Sequence, residues 1–294
     1  MIVLLRVLLA PALVVVSSLA GRRWGARVSG VLVALPIVAG PILAIIAVQQ
    51  GPVFGAQAAA SSLLGLVTLV LFAVTVAAVC RRAGWAVSLL LGWVVCLAAD
   101  AGASVIAAPP LAGLCLAVLA AAAGGRWLAA AGRRLGPEAG RAPVALPWWD
   151  LPARAAATAA LVVTVTGVAA AAGPRLSGVL APFPIASSVV TGFALAQNGP
   201  AGAVSLLRGL CEGLAGFAAF CFLVAILGPR LGVAVTFTIA TAVTVALQVT
   251  LHLVRRRGSA SVRGRASQPF SSGLTASRTS SAPAAKPRQY GTSE

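Results

Sequence analysis

The chain has 294 residues, of which 60% are apolar and 9% are charged, and its mean hydropathy is +0.99. Soluble domains carry about 25% charged residues, so this composition excludes an ordinary soluble protein and predicts an all-α polytopic membrane protein. The formal net charge of +17 lies mostly in connections and in the tail, where topology and anionic lipid explain it without nucleic acid.

Long apolar stretches predict about nine transmembrane helices, since each is near the roughly 20 residues that a helix needs to cross the hydrocarbon. In chain order the predicted spans are 1–20, 28–48 and 53–79, two spans between Gly84 and Gly124, and then 152–172, 176–196, 201–227 and 231–254. We divide the chain into a first membrane repeat with a linking helix (1–123), a basic cytoplasmic connection (124–150), a second membrane repeat (151–257) and a disordered basic tail (258–294).

One segment of the chain occurs twice. Residues 25–48 read GARVSGVLVALPIVAGPILAIIAV, and residues 173–196 read GPRLSGVLAPFPIASSVVTGFALA, at a constant offset of 148 residues without a gap. Both copies lead into a Gln-Xaa-Gly-Pro sequence, at 49–52 and at 197–200. The chain is therefore predicted to be a duplicated membrane unit, with repeats at 1–101 and 149–254.

The distribution of arginine and lysine predicts that the two repeats are inverted. The turns after spans 1, 3, 5 and 9 hold most of the basic residues, so the positive-inside rule places these turns in the cytoplasm. The N-terminus is then outside and the C-terminus inside, in a bacterial plasma membrane. Five spans separate the starts of the two copies, and an odd number reverses the direction of the second copy.

Prolines interrupt spans 2 and 7. Proline removes a backbone donor and kinks or breaks a helix, and broken helices form the binding sites of many secondary transporters. Prolines in membrane helices also serve close packing, and polar side chains there also hydrogen-bond neighbouring helices. The candidate residues of a substrate or ion pathway at these breaks are Pro36, Pro41, Pro184, Ser187, Ser188, Gln49, Gln197 and Asn198.

Span 8 carries two ionisable residues, Arg208 and Glu212, whose i,i+4 spacing puts them on one helix face. Charged groups inside a membrane are costly, which makes each a functional candidate. Glu212 is a candidate proton-coupling carboxylate, with Arg208 as its counter-charge or as the group that holds an anionic substrate. The alternative is a neutralised pair that joins two helices. The aligned positions of the first repeat, Ala60 and Leu64, carry no charge.

The remaining polar and reactive residues are weaker candidates for a functional role. Asp100 ends span 4, where we expect a solvated carboxylate at the outer interface, and its counterpart in the second repeat is Gln248. The five cysteines show no ligand spacing and are expected to pack as small apolar side chains. The sequence shows no hydrolase, kinase, phosphate-loop or metal signature, so we expect neither an enzyme nor a cofactor.

The pattern SGVL, then Pro-Ile, then a helix and Gln-Xaa-Gly-Pro resembles the small GlpM-type bacterial inner-membrane proteins. The plan of inverted four- or five-helix units is similar to that of the drug/metabolite transporter superfamily, which has five plus five spans. This chain departs from that plan because it lacks a tenth span. Neither resemblance implies a particular substrate.

These features favour a secondary transporter or permease for a small solute, with a pathway between spans 2, 3, 7 and 8. The alternative is a non-transporting membrane protein, such as a structural or accessory subunit of an envelope complex. The expected partners are the lipid bilayer, anionic lipid at the basic loops and tail, a small-molecule substrate and a second copy of the chain, but not nucleic acid.

Overall fold

The structure is a computed structural model that describes residues 2–37, 39–106, 108–135, 148–180 and 183–266, with side chains described outside 2–7, 166, 168–180 and 252–266. Over these residues the chain is helical and has no strand. The helices are α1 (Ile2–Trp24), α2 (Ala26–Val33), α3 (Ala39–Gln50), α4 (Pro52–Val79), α5 (Trp85–Ala103), α6 (Pro110–Leu135), α7 (Asp150–Leu180), α8 (Ile185–Leu231) and α9 (Val233–Ala266).

Five of the described helices are long and apolar enough to cross a membrane: α4, α5, α6, α8 and the Val233–Leu251 part of α9. The all-α membrane fold is thus confirmed, whereas the total of nine spans stays a prediction. Residues Met1–Leu251 form one compact unit. The second unit is His252–Glu294, in which α9 continues to Ala266 and the predicted disordered tail from 267 onward lies outside the described residues.

Helix boundaries recur at the offset found in the sequence. α1 begins at Ile2 and α7 at Asp150, while α5 begins at Trp85 and α9 at Val233. Gly51 (φ 95°) ends α3, and its counterpart Gly199 (φ 69°) divides α8 into segments 185–198 and 200–231. A positive φ is a conformation that glycine adopts at little cost, so both copies turn at the same position.

Both proline-containing breaks are present. α2 ends at Val33 and α3 begins at Ala39, so the helix of span 2 is interrupted around Pro36. In the second copy α7 ends at Leu180, and Pro184 directly precedes α8. Pro41 does not break its helix, because it lies in the first turn of α3, where backbone N–H groups have no intrahelical acceptor.

Three helices continue past the ends of the apolar spans that the sequence predicts. α7 runs through Gly173 and Pro174 to Leu180, since proline has a helical φ and removes only one hydrogen bond. α6 extends to Leu135, as alanines favour helix and Leu128 is buried. α9 passes the three arginines at 255–257, because charge ends an apolar span but does not end a helix.

Glycines allow α2 and α8 to come into backbone contact. A Cβ atom at Gly30 would overlap the Leu206 carbonyl oxygen, and one at Gly209 would overlap the Arg27 carbonyl oxygen. At Gly213 a Cβ would lie 2.6 Å from the Cβ of Ala34. The small-residue spacing of Gly209 and Gly213 is therefore an interhelical contact, as in other closely packed membrane helices.

We expect Gly209→Ala to destabilise the protein by about 2 kcal/mol or more, because the new methyl group collides with rigid backbone rather than with a mobile side chain. The matched control is Gly102→Ala in α5, where an added Cβ meets nothing within 4 Å and should be neutral or slightly stabilising. Thermal unfolding in detergent measures both. Equal midpoints for the two variants would contradict the backbone contact.

Candidate functional site

The predicted Arg208–Glu212 pair is present and has a third member. Arg208 Nε donates to Glu212 Oε1 at 3.1 Å. Arg27 binds the same carboxylate through two donors, Nε to Oε2 at 2.8 Å and Nη2 to Oε1 at 2.5 Å. We call these three residues the Glu212 cluster. Two-donor arginine contacts are among the stronger charge-assisted hydrogen bonds, so Arg27 is the closer partner of Glu212.

The Glu212 cluster combines a shielded carboxylate with accessible guanidinium groups. The Glu212 side chain is 13% exposed, whereas those of Arg208 and Arg27 are 38% and 43% exposed. Among these three side chains, two guanidinium groups contact one carboxyl group. From the sequence, Arg27 is one of the basic residues in the turn after span 1, whereas its place in the cluster follows from the glycine contact between α2 and α8.

A second charged cluster was not predicted. Asp150, at the first residue of α7, is fully buried and accepts hydrogen bonds from Arg22 Nη2 at 2.5 Å and Arg154 Nε at 3.0 Å. Gln197 Nε2 also donates to Asp150, while Arg154 Nη2 donates to Gln197 Oε1 at 2.6 Å. Arg154 Nη1 reaches Ser18 Oγ at 3.4 Å. These five residues are the Asp150 cluster.

The Asp150 cluster joins α1, α7 and the first segment of α8. The Arg154 guanidinium also lies 4.7 Å from the ring centroid of Phe193, in cation–π geometry. Asp150 precedes the apolar stretch of α7. Burial acts to raise its pKa, but the hydrogen bonds from Gln197, Arg22 and Arg154 outweigh burial and hold the pKa below its usual range.

Asp100 is not solvated, contrary to the prediction. It lies in α5 one turn before the helix ends at Ala103, so its side chain faces neighbouring helices and is only 4% exposed. The Cys96 thiol donates to Asp100 Oδ2 at 3.6 Å. Over the described side chains, no cation forms an ion pair with Asp100.

The polar residues predicted at the helix breaks do not converge on one site. Ser187 donates to the Pro184 carbonyl oxygen at 3.1 Å, and Ser188 accepts a hydrogen bond from Trp93 Nε1 at 2.8 Å. Gln197 belongs to the Asp150 cluster. The positions of the remaining predicted residues differ: Pro184 is buried, Pro36 is half-buried, and Pro41, Gln49 and Asn198 are exposed.

Removal of the Glu212 charge should destabilise the protein more than removal of one arginine. Glu212→Gln leaves Arg27 and Arg208 facing each other and should cost about 1–2 kcal/mol. Arg208→Gln keeps the two-donor Arg27 contact and should cost less than about 1 kcal/mol, because the arginine is partly solvated. Thermal unfolding of both variants in lipid nanodiscs gives the order. A more stable Glu212→Gln protein would contradict this assignment.

Asp150→Asn should cost about 3–5 kcal/mol, because it leaves the buried Arg154 without a counter-charge. Since the pKa of Asp150 is lowered by folding, its contribution is complete above about pH 4 and is lost on further acidification. The variant should lack this acid-dependent loss. The control is Arg23→Gln at an exposed arginine beside Trp24, which should change stability little. Similar unfolding midpoints for the two variants would refute the assignment.

Among the described residues, no group of three or more His, Cys, Asp or Glu side chains has an arrangement suited to a metal ion. No protein-family model matches the chain, and comparisons with curated proteins and with solved structures found no match either.

Proposed function

We propose that this membrane protein is a secondary transporter or permease for a small anionic solute in a bacterial plasma membrane, built from two inverted repeats. The observation that carries the proposal is the matched interruption of one helix in each copy. α2 ends at Val33 and α3 begins at Ala39, whereas α7 ends at Leu180 and α8 begins at Ile185, so the two interruptions correspond to within two residues at the offset of 148. Interrupted helices in inverted repeats are the usual framework of a binding site between two moving halves.

Contacts between equivalent helices support the inversion. In α1, Ser18 precedes Arg22, whereas their partners in α7 occur in the reverse order, Arg154 and then Asp150. α1 and α7 therefore run in opposite directions. The start of α4 lies beside the end of α8, where a Cβ at Gly228 would be 3.6 Å from the Cβ of Ala56. Opposed equivalent helices are what an inverted duplication requires.

The two partly exposed arginines of the Glu212 cluster favour an anionic solute. Glu212 occupies Nε and Nη2 of Arg27 and Nε of Arg208, and the other guanidinium nitrogens of these arginines donate to no described residue. These nitrogens present N–H groups at a partly exposed position. Such groups bind carboxylate or phosphate oxygens.

The Asp150 cluster supports the proposed orientation. It brings the end of α1, the start of α7 and the residues before Gly199 to one end of the helices. All three lie on the cytoplasmic side when the N-terminus is outside and the C-terminus is inside. A reversed protein would place the arginine-rich turns outside, against the positive-inside rule.

A non-transporting membrane protein is the second candidate. It is favoured by the same cluster, because two arginines shield Glu212 and the glycine contact joins α2 firmly to α8. A structural or accessory subunit needs such fixed helices and needs no aqueous path.

Access of water to the helix break distinguishes the two candidates. Ser188→Cys places a thiol at a buried position near the start of α8, beside the interruption between α7 and α8. The variant is made in a chain from which the five native cysteines have been removed. If the protein is a transporter, a membrane-impermeant maleimide should label this thiol from at least one side. The reference variants are Val105→Cys at an exposed turn, expected to react from outside, and the exposed Val94→Cys within span α5, expected to stay unlabelled.

Absence of labelling at position 188 from both sides, with normal labelling at position 105, would reject transport and support the non-transporting alternative. Labelling at position 188 that an excess of small dicarboxylate or phosphate prevents would also support the anionic substrate. Reaction of Val105→Cys from the cytoplasmic side alone would reverse the proposed orientation.

A further inference from the structure

One row of residues on the second segment of α8 is open, whereas the rest of that part of the helix is enclosed. Between Ala201 and Gly216 every residue is buried except at positions that follow the three- and four-residue spacing of one helix face. The half-buried positions are Ala201, Ser205, Arg208, Glu212 and Ala215. The row continues at Ala219, which is also half-buried. Other helices therefore cover this part of α8 on every side but one.

The open row lies between α2 and α6. Gly209 and Gly213 of α8 pack on α2. Val204 and Cys211 pack on α6, because Cβ atoms added at two α6 glycines would each lie 3.7 Å from one of these side chains. Successive residues of a helix differ in direction by about 100°, so Glu212 points between the two contacts. We call this opening the α2–α6 crevice, and the half-buried row of α8 is its floor.

One part of the α2–α6 crevice is rich in arginine. Arg27 and Arg208 bind Glu212 through three of their guanidinium nitrogens and are themselves 43% and 38% exposed. Arg126 of α6 is exposed and follows Gly125, which packs on the residue before Glu212, so a third guanidinium lies at this height. Guanidinium groups at a membrane span favour an anionic partner, and their N–H groups match phosphate and carboxylate oxygens.

The other part of the α2–α6 crevice is apolar. Beyond Glu212 the floor consists of Ala215 and Ala219, whose small side chains leave room above them. From Arg208 to Ala219 the helix rises about 16 Å, which is close to half the thickness of the hydrocarbon core. An alkyl chain from one leaflet can extend over this distance. The crevice thus changes from basic to apolar along its length, as an anionic amphiphile does.

We propose that the α2–α6 crevice binds an amphiphile that has one alkyl chain and a phosphate or carboxylate headgroup and that enters from the bilayer. The headgroup binds the guanidinium nitrogens of Arg27 and Arg208 that Glu212 leaves unoccupied, and the chain lies along Ala215 and Ala219. One chain fits because the floor is a single row of side chains. As the class of a transported solute this inference rests on the proposed function, whereas the binding itself requires no transport.

The test uses two probes with the same hexadecyl chain, which carries a photoreactive diazirine at its middle. One probe is hexadecyl phosphate, and the other is the zwitterionic hexadecyl phosphocholine. The full chain in phosphatidylcholine nanodiscs is irradiated with each probe, and mass spectrometry locates the crosslinks. We expect the phosphate probe to react at least about fivefold more within 212–223 or on the facing residues of α2 and α6. Equal reaction of the two probes there would show contact with bulk lipid only and would overturn the proposal.

An arginine variant tests the headgroup contact. Arg208→Gln should lower crosslinking of the phosphate probe in the crevice about fivefold, because it removes one of the arginines that attract the anion. The matched control is Arg81→Gln, at an exposed arginine in the turn after α4, which should leave crosslinking unchanged. Equal losses in the two variants would reject the site, since they would indicate attraction to the basic surface as a whole.

A second variant tests the apolar part and keeps all the arginines. Ala215→Phe fills the crevice and should lower crosslinking of the phosphate probe at least about fivefold, whereas Ala123→Phe at an exposed position of α6 should not. An excess of inorganic phosphate should leave the probe bound, because the alkyl chain contributes to its affinity. Complete displacement by inorganic phosphate, or full binding to Ala215→Phe, would contradict a site for an amphiphile.

Failure of this inference can be told apart from failure of transport. Preferential crosslinking of the phosphate probe in a protein whose Ser188→Cys variant stays unlabelled would support the crevice and reject transport. Labelling of Ser188→Cys together with equal crosslinking by the two probes would support transport and reject an amphiphile as the ligand of the crevice.

Discussion

The cost of an unpaired charge in an apolar interior determines how the described helices are joined. Asp150 binds Arg22 and Arg154, and Glu212 binds Arg27 and Arg208, so each carboxylate is shared by two guanidinium groups. Each cluster includes one arginine that flanks the connection at Gly25, Arg22 in the last turn of α1 and Arg27 in the first turn of α2. This connection is therefore held by α7, which precedes the bend at Gly199, and by the segment of α8 that follows this bend.

The Glu212 cluster also depends on glycines, which have no side chain, at the contact between α2 and α8. Arg27 reaches Glu212 with two donors because α2 and α8 are in backbone contact, which Gly30, Gly209 and Gly213 permit. Larger residues at these positions would separate α2 from α8. The Arg27–Glu212 contact would then be lost although no charged residue had changed. Packing and electrostatics are therefore coupled here: the glycines set the distance, and the ion pairs fix the relative position of the two helices along their length.

Local rules predicted the class of the fold, the breaks at Pro36 and Pro184 and the Arg208–Glu212 pair, because hydropathy, proline geometry and helical spacing act over a few residues. The Arg27–Glu212 and Arg22–Asp150 contacts join residues 185 and 128 positions apart. They depend on which helices are neighbours, and no local pattern contains that information. The burial of Asp100 was missed for a related reason: a residue near a helix end is exposed or buried according to the helix beside it.

The backbone of the two repeats is duplicated, but their acidic residues are not. At the offset of 148 residues, Glu212 corresponds to Leu64, Asp150 to Ile2 and Asp100 to Gln248, so no acid of either repeat has an acidic counterpart. The turn at Gly199 follows Gln197 of the Asp150 cluster, whereas no described ion pair lies beside the equivalent turn at Gly51. The turns at Gly51 and Gly199 thus have a similar backbone conformation but differ in the ion pairs that stabilise the helix ends beside them. If the protein transports a solute, the end at Gly51 needs less energy to open, because no ion pair of the described chain must break there.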